Sequence, residues 1–386
     1  LVGFLCYMGY IYRCMKRYRQ SKNVIRTRAI VIVVLVVVIF LLGLLENYPQ
    51  FIERWYSEGV YLWICRLLHP VFNLFPFSLG DILYLAVIIA IIYYFIKLVR
   101  LLFKKQFKPA GILLMGMVIS TLGAIVAFYM LWGINYFRPS AAERLKLPDT
   151  DYSVAQLEAL TKVVIDSANI TRARITRADL LQSDATIKQT AINAVLVLSG
   201  GSKDFLTYSP GIKSSLFTPL ISILGTSGYY NPFTTEAQMN YAMPVFLKPF
   251  VACHELSHQT GYGAEDEANF VGFLAGIKSN DRLLQYSAWH EAVDECMRDL
   301  MERDSVSHTK LKLLVSPAVH ADFVAERDFW IAHQSKLDII SNIFYDDFLK
   351  ANNQPQGLMT YNRMVRLVMA LYNRKSFGQP HLNPPR

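Results

Sequence analysis

Charge and cysteine are both scarce in this sequence, and acidic residues are missing from two long stretches of it. Only 18% of the 386 residues are Asp, Glu, Lys or Arg, against 53% hydrophobic. With a mean hydropathy of +0.26, this composition excludes an ordinary soluble domain. The five cysteines, Cys6, Cys14, Cys65, Cys253 and Cys296, show no paired spacing and so give no disulfide framework. Cys253 and Cys296 alone fall after residue 138, where one bridge is compatible with their number. No internal repeat or low-complexity tract appears.

Charge is absent altogether from residues 29–45, "AIVIVVLVVVIFLLGLL", and from residues 109–137. Each run is long enough to cross a bilayer core. A further run begins at residue 82 and continues past Lys97 and Arg100, whose stems can snorkel to the interface. The expected spans are therefore 29–45, 82–103 and 110–137, the last ending in an aromatic belt, "FYMLWGINYF". None holds an internal acid or histidine of the kind that marks an ion path, which argues against a transporter. A cleavable signal peptide fits poorly, since the first long apolar run starts near residue 29 without a small-residue cleavage site.

Acids are missing from residues 1–28, which hold seven Lys/Arg, and from residues 97–108, which hold five more. Those twelve exceed the whole formal charge of +9, so the basic charge lies beside the spans rather than on a nucleic-acid surface. This is the positive-inside pattern. It predicts a basic cytoplasmic N-terminus at 1–28, a three-helix transmembrane region at 29–137 and an extracytoplasmic domain at 138–386. The setting is a bacterial cytoplasmic membrane crossed several times, with the lipid bilayer as a partner and no nucleic acid.

After residue 138 the composition is mixed. Ser153 and Gln156 have capping-box spacing, and Leu157, Leu160 and Val164 form an apolar stripe. The spacing predicts a helix ending near Asn169, then a second over "SDATIKQTAINAVLVL". Residues 200–240 read as short strands and turns. From Pro249 onward the pattern is helical, apart from loops near Ser316 and "NNQPQG". The domain is thus expected to be α+β and mostly helical.

Chemistry concentrates in "FVACHELSHQTGYGAEDEANFVGF". His254, Glu255 and His258 spell H-E-x-x-H between Pro249, suited to a first turn, and Gly261 and Gly263, suited to a stop. Residues four apart share a helix face, so both imidazoles aim at one point. Zinc accepts two such nitrogens, and Glu255 can reach a metal-bound water as general base. A third ligand must come from the next helix, 264–276, whose first turn holds Glu265, Asp266 and Glu267. Acids favour helix N-termini whatever their function, and that accounts for Asp266. Glu265 stands four residues before Asn269, and Glu267 remains a second candidate ligand. Cys253 lies off the histidine face and reads as packing.

H-E-x-x-H followed by a helix with E-x-x-A-[DN] resembles the gluzincins, including thermolysin and the membrane-embedded CAAX-prenyl and heat-shock metalloproteases. The resemblance implies a zincin-like domain in which Glu265 is the third zinc ligand and Asn269 supports a histidine from behind. Asn stands where those families have Asp, which weakens any carboxylate–histidine pairing. The interval from His258 to Glu265 is also shorter, nearer the metzincin spacing, with Gly261 at the glycine position and Ala264 in the ligand slot. The whole chain resembles an uncharacterised bacterial family with three N-terminal spans and an H-E-x-x-H domain, through "WGINYFRPS", "GYYNPFT", "CHELSHQTGYGAEDEANF" and "GLMTYNRMVRL". That likeness implies a topology and a zinc site, and no particular substrate.

In zinc peptidases an edge strand beside the motif helix binds an extended peptide, and "GYYNPFTTEAQMN" is either that strand or an ordinary hairpin. His290, His320, His333, Tyr361 and Arg366 are available to stabilise an oxyanion. Two readings follow. The first is a membrane-anchored zinc metallopeptidase acting on a peptide or protein. The second is a non-catalytic envelope protein with a structural or vestigial zinc site, against which the intact Glu255 argues.

Overall fold

The computed structural model describes residues 2–148, 151–354 and 364–373, with side chains from residue 23 onward. The chain divides into two compact units, one made of residues 1–48 and 82–131, the other of residues 49–81 and 132–386. Three helices are long and apolar enough to cross a membrane: Asn23–Asn47, Leu79–Phe103 and Phe107–Leu131. Hydrocarbon offers no partner to a peptide group, so an unbroken Val/Ile/Leu run satisfies its backbone internally, as helix. Lys105 takes a left-handed conformation, φ 54°, in the tight turn between the second and third of these helices. Arg28 donates to the carbonyl of Ile112. A Cβ on Gly116 would come within 3.0 Å of its Nη1. The two basic segments therefore lie at one end of the first unit.

The third apolar helix ends at Leu131, short of the expected 137. Residues Gly133–Phe137 form a short 3-10 turn instead, and Trp132, Tyr136 and Phe137 are buried in the second unit. Trp132 donates its indole N–H to the His258 carbonyl at 2.9 Å, and Ser57 bonds Asn135 at 2.9 Å. Aromatic residues after a span read alike whether they rest among headgroups or fold into a domain. Here they fold in. Residues 49–81, inside the predicted 29–137 region, also pack in the second unit, where Ile52, Tyr61 and Cys65 are buried.

The second unit is a helical body with one small sheet. Helix Val154–Ala173 opens with the expected Ser153/Gln156 capping box. It continues a turn beyond Asn169, because Ser167 and Thr171 bond the carbonyls four residues back at 2.8 and 2.7 Å and stay buried. Helices Asp184–Gly201, Lys248–Gln259, Glu265–Ile277 and Arg282–Arg303 enclose a core that includes Leu157, Leu160, Leu256, Phe270 and Phe273. Cys253 and Cys296 lie buried in it as free thiols, so the bridge their number allowed is not made.

The sheet has three short strands, β1 (Ile212–Ser214), β2 (Gly228–Asn231) and β3 (Glu236–Met239), in the order β1-β3-β2. β1 runs parallel to β3. β2 and β3 form an antiparallel hairpin in which Gly228 faces Met239 and Asn231 faces Glu236. Residues Thr218–Ile223, within the stretch read as strands, are a helix with Pro219 in its first turn. Glu236 on β3 accepts the amides of Leu79 and Gly80 at 3.2 and 2.6 Å, and Lys213 on β1 pairs with it. The sheet thereby caps the first turn of helix Leu79–Phe103.

Candidate metal centre

Pro249 lies in the first turn of helix Lys248–Gln259, and nearly every residue from Pro249 to its end is buried. Gly261, at φ +87°, turns the chain away, and a Cβ there would come within 3.0 Å of Arg138 and 3.1 Å of Tyr61. Ala264 then caps helix Glu265–Ile277. That helix crosses close to the first, since a Cβ on Gly272 would stand 3.1 Å from the backbone nitrogen of His254. The close crossing brings Glu265 and Asn269 to the histidines.

Three side chains meet at this crossing. Nε2 of His254 and Nε2 of His258 are 3.1 Å apart. Glu265 places Oε2 3.2 Å from the first and Oε1 3.5 Å from the second. Tetrahedral ligands bound at about 2.0–2.1 Å stand roughly 3.3–3.4 Å from one another, so each of these spacings is close to that of neighbouring zinc ligands, with the two carboxylate oxygens turned to different histidines. Glu255 brings a carboxylate within 4.8 Å of both histidines. Glu265 comes nearer still and is the better third donor. Glu267 points elsewhere, accepting the Ala141 amide at 2.6 Å and pairing with the buried Arg144.

The outer nitrogens settle the tautomers. Nδ1 of His258 donates to the Tyr262 carbonyl at 2.7 Å, and Nδ1 of His254 bonds Oδ1 of Asn269 at 2.6 Å. Both Nε2 atoms then present lone pairs to each other and to a carboxylate. Such an arrangement could hold a cation at its centre. Without one, a proton serves. Burial opposes charge on His254, but the Glu265 hydrogen bond and the carboxylates of Glu255 and Glu265 raise it to about 9. Glu265 is itself held well below the usual carboxylate range, its burial outweighed by the two histidines. Glu255 moves the other way. Burial raises it to about 7, and its Oε2 has no hydrogen-bond partner among the described residues.

Three neighbours complete the site that sequence reading did not single out. The Trp132 ring meets His258 edge-on at 6.0 Å. Gly228 on β2 leaves room for Glu255, since a Cβ there would fall 2.6 Å from Oε1 and 2.7 Å from the Gln238 carbonyl. Tyr345 donates its phenol to Oε1 of Glu265 at 2.5 Å. Nothing in the chain between residues 265 and 345 signals that last contact.

The residues considered for an oxyanion role lie elsewhere. His290 stacks on Phe323 at 4.1 Å, and burial lowers it to about 4. His333 bonds the Phe329 carbonyl, Arg366 pairs with Asp151, and His320 is exposed. Tyr361 lies outside the described residues.

No curated protein and no solved structure matches the chain. The family model described as a protein of unknown function, DUF3810, matches residues 56–369. That match takes in the segment before the second apolar helix, the sheet and both helices of the candidate centre, and the chain belongs to the DUF3810 family.

Proposed function

We propose that this protein is a membrane-anchored zinc metallopeptidase whose site faces the outside of a bacterial cytoplasmic membrane. One observation carries the reading: two imidazole lone pairs and a carboxylate converge at 3.1–3.5 Å beside a second, buried carboxylate with an oxygen to spare. His254, His258 and Glu265 would hold zinc, which supplies Lewis-acid activation of water and of a carbonyl oxygen. Glu255, raised toward neutrality by burial, takes the proton of the attacking water and passes it to the leaving amine. Asn269 and the Tyr262 carbonyl hold the imidazoles in orientation. β2 is the edge of the sheet, so an extended peptide can add to it and run past Glu255 at Gly228.

Topology supports the placement. Three crossings put residues 49–78 and 132–386 on one side, and both segments belong to the second unit. The basic segments, gathered at one end of the first unit, mark the other side as cytoplasmic.

Elemental analysis of detergent-purified protein tests the centre. Wild type is expected to carry about one zinc per chain, Glu265→Ala none, and Glu267→Ala as much as wild type. Protein that takes up no zinc, even on reconstitution, ends this reading. Zinc retained without hydrolysis of any peptide would make the site structural.

A further inference from the structure

Helix Lys336–Ala351 is built inside out. Its half-buried face carries Asp338, Ser341 and Tyr345, and Leu349 is its one buried residue. The outward face is largely apolar, with Leu337, Ile339, Ile340, Ile343 and Phe344 between 50% and 72% exposed, and the exposed Lys336, Asp347 and Lys350 stand on the same side toward its two ends. A surface helix in water shows the opposite arrangement. This helix is also the one that reaches the candidate centre, through Tyr345 and Glu265, with Phe348 against Tyr136.

The apolar face continues toward the start of a span. Ser335, just before the helix, donates to the Ile223 carbonyl at 3.2 Å. Ile223 ends helix Thr218–Ile223, on which Leu220 is exposed, as is Leu216 just before it. The Leu216 amide in turn donates to Asp81 at 2.7 Å, in the first turn of helix Leu79–Phe103. Exposed apolar side chains thus run from the root of a membrane-crossing helix to the helix over the site.

We infer that the outward face of helix Lys336–Ala351 docks on the surface of the bilayer that the apolar helices cross, so that the membrane holds this helix as a cover over the candidate centre. An amphipathic helix lying in the interface buries just such an apolar face among headgroups and upper acyl chains. The charges of the helix carry both signs, Lys336, Asp347 and Lys350 beside the apolar side chains and Asp338 and Asp346 away from them, so docking rests on apolar burial with the lysine stems reaching to the headgroups, and needs no anionic lipid. The covering role rests on the proposed metal site. The docking does not.

The test uses the full chain in lipid nanodiscs, with nitroxides on cysteines introduced one at a time at Ile340, Phe344 and Asn342. Collision with oxygen should exceed collision with a water-soluble nickel chelate at positions 340 and 344, and the order should invert at 342. Chelate access at all three positions would overturn the proposal. So would spin–spin broadening that grows with the number of chains per disc, which would assign the face to a second copy. As a check without substitutions, a diazirine-bearing lipid should label wild type within residues 336–351, and absence of label there also counts against docking. Measurements repeated in chelator and in zinc separate the two claims. Lipid contact that persists in a chain binding no zinc leaves the docking intact and removes the metal centre beneath it.

Discussion

Glu255 and Glu265 occupy one pocket, yet burial holds the first near neutrality while two imidazoles hold the second far below. Environments that push two carboxyls apart in this way assign them different work, one as proton carrier and one as permanent anion. Glu255→Gln should therefore keep its zinc and lose roughly 10²–10⁴-fold in peptide hydrolysis. A variant that hydrolyses as fast as wild type would remove Glu255 from the mechanism. Glu267→Ala should behave in the reverse manner. Arg144, at 4% exposure, would lose its paired carboxylate and keep the weaker support of Glu53 and Asp204, a loss of up to about 3 kcal/mol. For a domain of this size each kcal/mol lowers the thermal midpoint by roughly 2–4 °C, with zinc content unchanged. Gly228→Ala probes the contact from the strand side. A methyl group 2.7 Å from the Gln238 carbonyl and 2.6 Å from Glu255 must displace one of them. Hydrolysis should fall with zinc retained, and a fully active Gly228→Ala would show that β2 does not bound the working site.

Elements announced by local chemistry were legible in the sequence, and those decided by distant partners were not. The Ser153 capping box, the Pro249 start and the glycine turn after Gln259 depend on neighbours within a few residues, so the motif helix and its successor emerge where the spacing puts them. Glu265 and Glu267 share the first turn of one helix, and only the position of Arg144, more than a hundred residues earlier, separates the candidate ligand from the ion pair. Tyr345 and Trp132 reach the centre from elements whose own patterns say nothing of it. The long helix Arg282–Arg303 shows another distant effect. Burial, opposed only by Arg298 and reinforced by Glu291, Asp294 and Asp299, raises Glu295 to about 8. Burial and the acids Glu291 and Asp294 do the same to Glu326 on helix Pro317–His333. Carboxyls with folded values above their unfolded ones, near 4.3 for Glu, bind more protons in the fold than out of it. Their contribution is complete below that unfolded value and is lost as pH rises through about 8. The thermal midpoint in detergent should accordingly fall between mildly acidic and mildly alkaline pH, and Glu295→Gln should flatten the fall. A midpoint that climbs over the same interval would contradict the assignment.

At the scale of the whole molecule, the decisive relation is between the two units and the sides of a membrane. The second unit takes its residues from before the second apolar helix and from after the third, 49–81 and 132–386, and one compact body cannot be divided by a bilayer. Two crossings between residues 81 and 132 are the arrangement that satisfies this with the second and third apolar helices. The turn at residues 104–106 then lies opposite. Single cysteines at the exposed positions Arg54 and Leu313, and at Lys104 in the turn, convert the relation into a measurement. In intact cells a membrane-impermeant thiol reagent should label the first two and spare the third until the membrane is opened. The native thiols Cys65, Cys253 and Cys296 are buried, and Cys6→Ser and Cys14→Ser in the background chain remove the two cysteines of the basic N-terminal segment. Labelling of Lys104→Cys alone would turn the whole protein over and place the candidate centre in the cytoplasm. Labelling that divides Arg54→Cys from Leu313→Cys would be the more serious result, because no folding of these helices across a bilayer could then bring residues 49–81 and 132–386 into one unit.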